Sequence, residues 1–249
     1  MREDIEQLAN LIKNSDRIVF FGGAGVSTAS GIPDFRSGDG LYSEKYHNLP
    51  PESIISHDFF VKDTKTFYDY YREHLIFENA KPNKAHFVLA DLERQGKMLG
   101  VITQNIDGLH QLAGSQKVYE LHGTVHSNRC TKCGKLYNLK KITKTEGIPY
   151  CECGGIIKPE VVLYGENLPD HTVNKAIECL RESDLLIIAG TSLVVYPAAA
   201  FVHYFRGKNI VLINLSSTYV DNIATLVIHE RVEYVLGEVE KILKGVDKD

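Results

Sequence analysis

Four of the five cysteines lie between positions 130 and 153, as Cys130-Thr131-Lys132-Cys133 and Cys151-Glu152-Cys153-Gly154-Gly155. Two thiolate pairs separated by a short polar insert can close a tetrahedral zinc site. Four protein ligands leave no open coordination position. The metal expected from Cys130, Cys133, Cys151 and Cys153 is therefore one structural Zn²⁺ rather than a catalytic one. The second pair is C-x-C, a tighter spacing than C-x-x-C, and it places the sharper geometric demand on Cys151. Cys179 falls in a helical pattern and is expected in the core.

A second chemical candidate is Gly23-Ala24-Gly25, directly after the apolar run Arg17–Phe21. Small residues let backbone N–H groups approach a pyrophosphate, and the N-terminus of a following helix would favour its charge. The dehydrogenase fingerprint G-x-G-x-x-G is incomplete, because Thr28 stands where its third glycine would be. No second strand follows to end in an acid about 20 residues on. Taken singly, the loop fits a structural turn as well as a phosphate cradle. Nor do the ten histidines single one out by residue type.

The elements that must position these groups are readable from periodicity. Ile5, Leu8, Ala9 and Ile12 have helical spacing. Arg17–Phe21, Leu99–Thr103, Leu185–Ala189 and Ile210–Asn214 are short apolar runs that read as buried strands. Helical patterns lie between them, around Ala85, Leu89 and Leu92 and around Ala176, Ile177 and Leu180. The alternation predicts an α/β fold, a Rossmann-like doubly wound parallel sheet covered on both faces. Two stretches interrupt it. Residues 37–81 are polar and aromatic-rich, a helical or loop insert; residues 127–159 carry the cysteines and several lysines, a zinc-binding module. The large domain is then assembled from 1–36, 82–126 and 160–249, with both inserts carried in a single domain spanning 1–249.

A chain of 249 residues, 43% hydrophobic and 24% charged, can bury a substantial core. Its formal charge of −4 argues against bulk attraction to nucleic acid or an anionic membrane. Met1-Arg2-Glu3-Asp4-Ile5 lacks the basic-then-apolar opening of a signal peptide. No run approaches the roughly 18 apolar residues of a membrane helix. A soluble cytoplasmic protein, with no membrane contact and no direct nucleic-acid binding, is the expectation.

The residues after the glycine loop extend the pattern. Gly23-Ala24-Gly25-Val26-Ser27-Thr28-Ala29-Ser30-Gly31-Ile32-Pro33-Asp34-Phe35-Arg36 resembles the opening NAD-binding motif of the sirtuins, NAD-dependent protein-lysine deacylases. Gln104-Asn105-Ile106-Asp107, Leu121-His122-Gly123, Gly190-Thr191-Ser192 and Asn214-Leu215 resemble further sirtuin motifs, in the family's order. Four of these segments follow apolar runs, and open α/β sheets bind ligands at the C-terminal ends of their strands.

The resemblance implies NAD⁺ as co-substrate and assigns residues. Gly23, Ala24, Gly25, Thr28, Ile32, Asp34, Phe35 and Arg36 would line the diphosphate and nicotinamide-ribose region. Gln104, Ile106 and Asp107 would form the nicotinamide pocket, with Asn105 and Asp107 ordering water or the carboxamide. Gly190, Thr191 and Ser192 would meet ribose or phosphates, Asn214 and Leu215 the adenosine ribose, and Glu230 and Arg231 the adenine. His122 occupies the general-base position, and imidazole, with a pKa of about 6.5, accepts protons near neutrality. The implied reaction passes the acetyl group of N6-acetyl-lysine to ADP-ribose, releasing nicotinamide, O-acetyl-ADP-ribose and free lysine.

Lys158–Asn167 and Gly190–Pro197 resemble the two sides of the sirtuin peptide groove. There Val162, Leu163, Tyr164, Gly165 and Asn167, with Leu193, Val194 and Val195, would sandwich an extended acetyl-lysine peptide by β-augmentation. Sirtuins that remove succinyl or malonyl groups carry a tyrosine and, three residues on, an arginine. Here Tyr68 matches the tyrosine but Tyr71 holds the arginine position, with Arg72 one residue beyond, which implies acetyl or another uncharged short acyl group. Mono-ADP-ribosyl transfer, or removal of another short acyl group, is the alternative within the family. An oxidoreductase and a non-catalytic zinc-ribbon module are the alternatives outside it.

Overall fold

The structure, a computed structural model, describes residues 1–38, 40–43 and 45–245. Asp39, Glu44 and residues 246–249, although inside the expected segments, lie outside the described residues. The strands are β1 (Ile18–Gly22), β2 (Met98–Thr103), β3 (Val118–Glu120), β4 (Gly123–Cys130), β5 (Leu136–Asn138), β6 (Ile157–Val161), β7 (Leu185–Ala189), β8 (Asn209–Ile213) and β9 (Leu226–Ile228). The helices are α1 (Arg2–Lys13), α2 (Pro51–Ile54), α3 (His57–Lys62), α4 (Thr64–His74), α5 (Lys84–Arg94), α6 (Leu109–Ala113), α7 (Leu139–Thr143), α8 (Asp170–Glu182) and α9 (Val232–Lys244).

Among the described residues, six strands form one parallel sheet in the order β3-β2-β1-β7-β8-β9. The chain builds outward from β1 on one side, then returns to build outward on the other. The switch point therefore falls at the C-terminal end of β1, between β2 and β7, where doubly wound sheets bind ligands. Successive residues serve opposite faces, as strand geometry requires. Ile18 and Phe20 join the core under α1, α5 and α9, whereas Val19 and Phe21 join the core under α8. All four are fully buried, each worth about 1.5–3 kcal/mol in apolar burial. This explains why β1 reads as an unbroken apolar run rather than an alternating one.

The two inserts share a third core. Phe60, Phe67, Tyr68, Tyr70 and Tyr71 of α3 and α4 pack with Val125, Cys130, Leu139, Ile142, Ile157 and Val161. Each helix here starts on a side-chain cap: Ser56 accepts from Phe59 N–H, and Asp63 from Thr66 N–H. β4 pairs antiparallel with both β5 and β6, and β6 alternates buried with half-buried residues. Helical insert and cysteine segment thus form one small lobe. β4 and β6 begin and end beyond the 127–159 segment, so the lobe is tied into the large domain by continuous strands.

One local expectation fails. No α-helix opens after the glycine loop; two 3₁₀ turns, Ala24–Val26 and Thr28–Ser30, stand there instead. The turn ends at Gly31, and Pro33 follows. The loop is instead held from the segment just after β7, the strand beside β1. Gly25 N–H donates to the Gly190 carbonyl at 2.8 Å, and a Cβ on Gly25 would lie 2.7 Å from Gly190 Cα. Close backbone approach, rather than a helix terminus, is what the glycines at 25 and 190 permit.

Candidate active site

A cavity of about 900 Å³ opens at the switch point. Gly23, Ala24, Gly25, Thr28, Ile32, Asp34, Phe35 and Arg36 line it from the segment after β1, and Gln104, Asn105, Ile106 and Asp107 from the segment after β2. His122 enters between β3 and β4. Gly190, Thr191 and Ser192 follow β7, Asn214 and Leu215 follow β8, and Glu230 and Arg231 follow β9. Positions more than 200 residues apart in sequence thus face one space, because parallel strands deliver their C-terminal ends to one edge.

The segment after the glycine loop is shaped by Asp34, whose carboxylate accepts from the N–H groups of Arg36 and Ser37 at 2.9 and 2.7 Å. That turn brings Phe35 and Tyr42 together at 5.3 Å between ring centroids and sets the Arg36 guanidinium over Tyr42. Burial, with the Tyr164 hydroxyl 3.1 Å away, pushes the Tyr42 phenol far above its ordinary range.

His122 is half-buried, and burial lowers its pKa from 6.5. Its Nδ1 lies 3.0 Å from the Gln104 carbonyl. A carbonyl only accepts, so Nδ1 carries the proton and Nε2 keeps its lone pair in the neutral ring. Asn105 and Asp107 converge on Ser27, a fully buried residue that the motif reading did not single out. Ser27 Oγ donates to Asp107 Oδ2 at 2.7 Å and accepts from Asn105 Nδ2 at 3.0 Å. Leu109 N–H holds the other Asp107 oxygen at 2.9 Å. Gln104 Nε2 reaches Thr191 Oγ1 at 3.0 Å, linking the segments after β2 and β7. His126, also not singled out, lines the same cavity.

The groove residues divide. Val162, Leu163, Tyr164, Gly165 and Val195 line the cavity; Asn167, Leu193 and Val194 do not. Leu193 instead packs its side chain in the core under α8, its N–H on Thr191 Oγ1 and its φ at +53°. Val162 N–H donates to the His122 carbonyl at 2.9 Å, which fixes this segment beside the imidazole. Tyr164 pairs with Ile55 and His57 through backbone bonds, and the Glu166 carboxylate gathers His57, Lys158 and Leu163 N–H. Tyr68 and Tyr71 are fully buried and do not line the cavity.

The four clustered cysteines bring their Sγ atoms within 4.8 Å of one another. A zinc–sulfur bond of about 2.3 Å places tetrahedral thiolates about 3.8 Å apart, so the quartet fits one zinc. Cys151, the position under most geometric demand, takes its place in it. The Cys153 backbone N–H, then the Tyr137 hydroxyl 3.0 Å away, lower its thiol pKa to about 6, favouring the thiolate a metal needs. Cys179 stands apart on α8, half-buried against the apolar core.

The Sir2 family model matches residues 23–197. The chain belongs to the Sir2 family. It is 54% identical over 242 residues to an NAD-dependent protein deacetylase of Clostridium perfringens, covering 96% of this chain and 99% of that one. It is 52% identical to a protein of the same description from Clostridium acetobutylicum, covering 95% and 98%. A solved structure bearing on the mechanism and regulation of Sir2 enzymes superposes with a TM-score of 0.89 at 38% identity, covering 99% of this chain and all of the other. A Sir2 complex with a p53 peptide and NAD⁺ gives 0.84 at 40% identity, covering 98% and 99%. The doubly wound sheet and the cysteine module of this sirtuin are thus family architecture over nearly its whole length.

Proposed function

We infer that the protein is an NAD-dependent protein-lysine deacetylase, transferring the acetyl group of N6-acetyl-lysine to ADP-ribose with release of nicotinamide. Relatives so described match at about half identity end to end. The observation that carries the reading in this chain is His122, with Nδ1 committed to Gln104 and Nε2 left basic, in the same cavity as the glycine loop. NAD⁺ supplies the acceptor ADP-ribose. In this reading His122 removes a proton from a ribose hydroxyl. Ser27 holds Asn105 and Asp107 so that their polar atoms are fixed before charge develops at the ribose, the arrangement that contributes most to stabilisation. Val162 to Gly165 and Val195 border the extended peptide, and the four cysteines hold the lobe. The division into a sheet domain, a helical insert and a zinc module belongs to the same reading. So do a cytoplasmic location, suited to reduced thiols, and peptide rather than nucleic acid or membrane as partner. No helix among the described residues is long and apolar enough to cross a membrane.

Mass spectrometry of an acetyl-lysine peptide with and without NAD⁺ tests this. Nicotinamide and O-acetyl-ADP-ribose should appear with the unmodified peptide, in step with NAD⁺ loss. ADP-ribose attached to protein, with the peptide still acetylated, would instead establish the transferase alternative.

The acyl preference follows from Arg72. Its Nε donates to the Ile142 carbonyl at 3.0 Å, and its guanidinium also holds the Gly147 and Tyr68 carbonyls. It is bound inside the lobe and brings no cation to the cavity. A succinyl carboxylate would therefore lack the bidentate partner it needs from this stretch. Turnover of one peptide carrying acetyl- or succinyl-lysine should favour acetyl at least about tenfold, one unmade charged hydrogen bond. Faster desuccinylation would reverse this reading.

A further inference from the structure

We propose that His126 is a positioning residue of the nicotinamide pocket, setting how firmly this enzyme holds free nicotinamide and the nicotinamide end of NAD⁺. The proposal rests on the reading that Ile106 and Asp107 border that pocket.

His126 lies four residues beyond the general base, on β4, with its ring at the cavity. Its Nε2 lies 3.0 Å from the Asp107 carbonyl oxygen, so Nε2–H donates there. One residue earlier, Val125 N–H donates to the Ile106 carbonyl at 3.0 Å. Two successive carbonyls of the 105–108 loop are thus fastened to β4, the first by backbone and the second by the imidazole. The Nε2–Cδ2 edge of the ring also packs against the chain at Gly108. A Cβ there would lie 2.6 Å from His126 Nε2, and Gly108 has φ +73°, so glycine satisfies both the contact and the turn.

The consequence falls on Asp107. Its two carboxylate oxygens are held by Ser27 Oγ and Leu109 N–H, and both contacts require its peptide plane to keep one orientation. His126 holds the carbonyl of that plane. Nearby is Glu120, a carboxyl raised by burial that interacts with His126 and, repulsively, with Asp107. Removing the imidazole takes away the donor to the Asp107 carbonyl and frees the Asp107 peptide to turn. Because His126 is itself exposed, the bond is worth an ordinary neutral hydrogen bond, which corresponds to roughly a three- to tenfold change in affinity.

The test compares His126→Phe, which keeps a ring without the donor, with His126→Gln, whose amide can restore a donor near Nε2. In the full chain with saturating acetyl-lysine peptide, the phenylalanine variant should raise the nicotinamide inhibition constant and the KM for NAD⁺ about three- to tenfold. Its kcat should change less than its KM, and the glutamine variant should stay within about twofold of the parent on both constants. His126→Ala replaces the phenylalanine variant if that one fails to fold. Unchanged constants in the donor-less variant, or equal losses in both variants, would overturn the proposal, the second by showing that shape alone matters. Asp107→Asn separates the two levels of inference. If it alters nicotinamide inhibition while His126→Phe does not, only the His126 role falls. If Asp107→Asn leaves nicotinamide inhibition untouched, the pocket reading fails and the proposal with it.

Discussion

The sheet domain and the small lobe bury apolar side chains by different means. β1 and β7 are each buried at every position, and each is hydrogen-bonded to a parallel strand on both sides. The lobe instead gathers tyrosines and phenylalanines from α3 and α4, alternating residues from β6, and a cysteine quartet. Its largest side chains carry hydroxyls that must be satisfied in the dry. The sheet domain stands on contiguous apolar segments. The lobe stands on interspersed aromatic side chains and a metal-binding cysteine quartet, and a perturbation should distinguish the two.

The largest expected effect strikes at their junction. His122 sits between β3 of the sheet and β4 of the lobe, and the role proposed for it is chemical. His122→Ala should lower kcat by about 10²–10⁴-fold, the usual contribution of a general base, and leave the melting temperature of both regions unaltered. Near-parental turnover would remove His122 from the mechanism.

Metal removal should act on the lobe alone. Cys130→Ala, or a strong chelator, takes away a ligand set that orders β4, β5 and α7. A loss of about 4 kcal/mol or more is characteristic of a lost structural metal, or roughly 10 °C in melting temperature for a chain of this size. Near-ultraviolet signals of the buried tyrosines Tyr68, Tyr70 and Tyr71, all in the lobe, should go before the far-ultraviolet helix signal. Cys179→Ala, outside the quartet, should leave both in place. A single transition with unchanged activity after zinc loss would contradict the structural role.

Acid should act on the sheet domain, through His86 and His110 between α5 and α6. Burial lowers His86 to about 4, opposed weakly by Asp107, and lowers His110 well below 6.5, with His86 adding to the effect. Neither His110 ring nitrogen has a hydrogen-bond partner among the described residues. The unfolded chain takes up protons near pH 6.5, whereas the folded chain resists until about 4. Stability from these groups is therefore complete above about pH 6.5 and is lost as pH falls toward 4, by about 3 kcal/mol for His86. His110→Phe should flatten the slope of unfolding free energy between pH 6.5 and 5. An identical slope in that variant would show that acid works elsewhere, for instance on the zinc thiolates.

The same contrast explains what could be read from sequence. Leu185–Ala189 is legible to the residue because a fully buried strand needs an unbroken apolar run. β3 and β9 leave no such run, being three residues each and pairing only at the sheet's edges. The lobe's sheet leaves only a weak signal in a lysine-rich stretch, because Ile157, Pro159 and Val161 alternate with Lys158 and Glu160. The expected helix after Gly25 failed because the loop is held by Gly190, far away in sequence. In the site, motif resemblance nominated residues that the strand ends do bring together. Ser27 looked like one more small polar residue until Asp107, distant in sequence, was placed against it. Leu193 was nominated for the groove, but its left-handed backbone turns the side chain into the core.

The smallest effect concerns one hydroxyl in the lobe and has the opposite sign from the rest. Tyr71 is fully buried, stacked on Phe67 at 5.5 Å and edge-on to Tyr68 at 6.3 Å. Its hydroxyl has no hydrogen-bond partner among the described residues, and burial raises its pKa well above 10. A hydroxyl taken from water without a new partner costs about 1–3 kcal/mol. Tyr71→Phe keeps both ring contacts and removes that group, so it should stabilise the protein by about 1 kcal/mol, or roughly 2–4 °C. Tyr68 supplies the control on the same helix. Its hydroxyl donates to the Ile157 carbonyl, so Tyr68→Phe leaves a buried acceptor unpaired and should destabilise by about 1 kcal/mol. Thermal melts of the two variants should thus move in opposite directions. If both fall equally, the Tyr71 hydroxyl has found a partner, such as an internal water, and the lobe's aromatic core is as well satisfied as the sheet's apolar one.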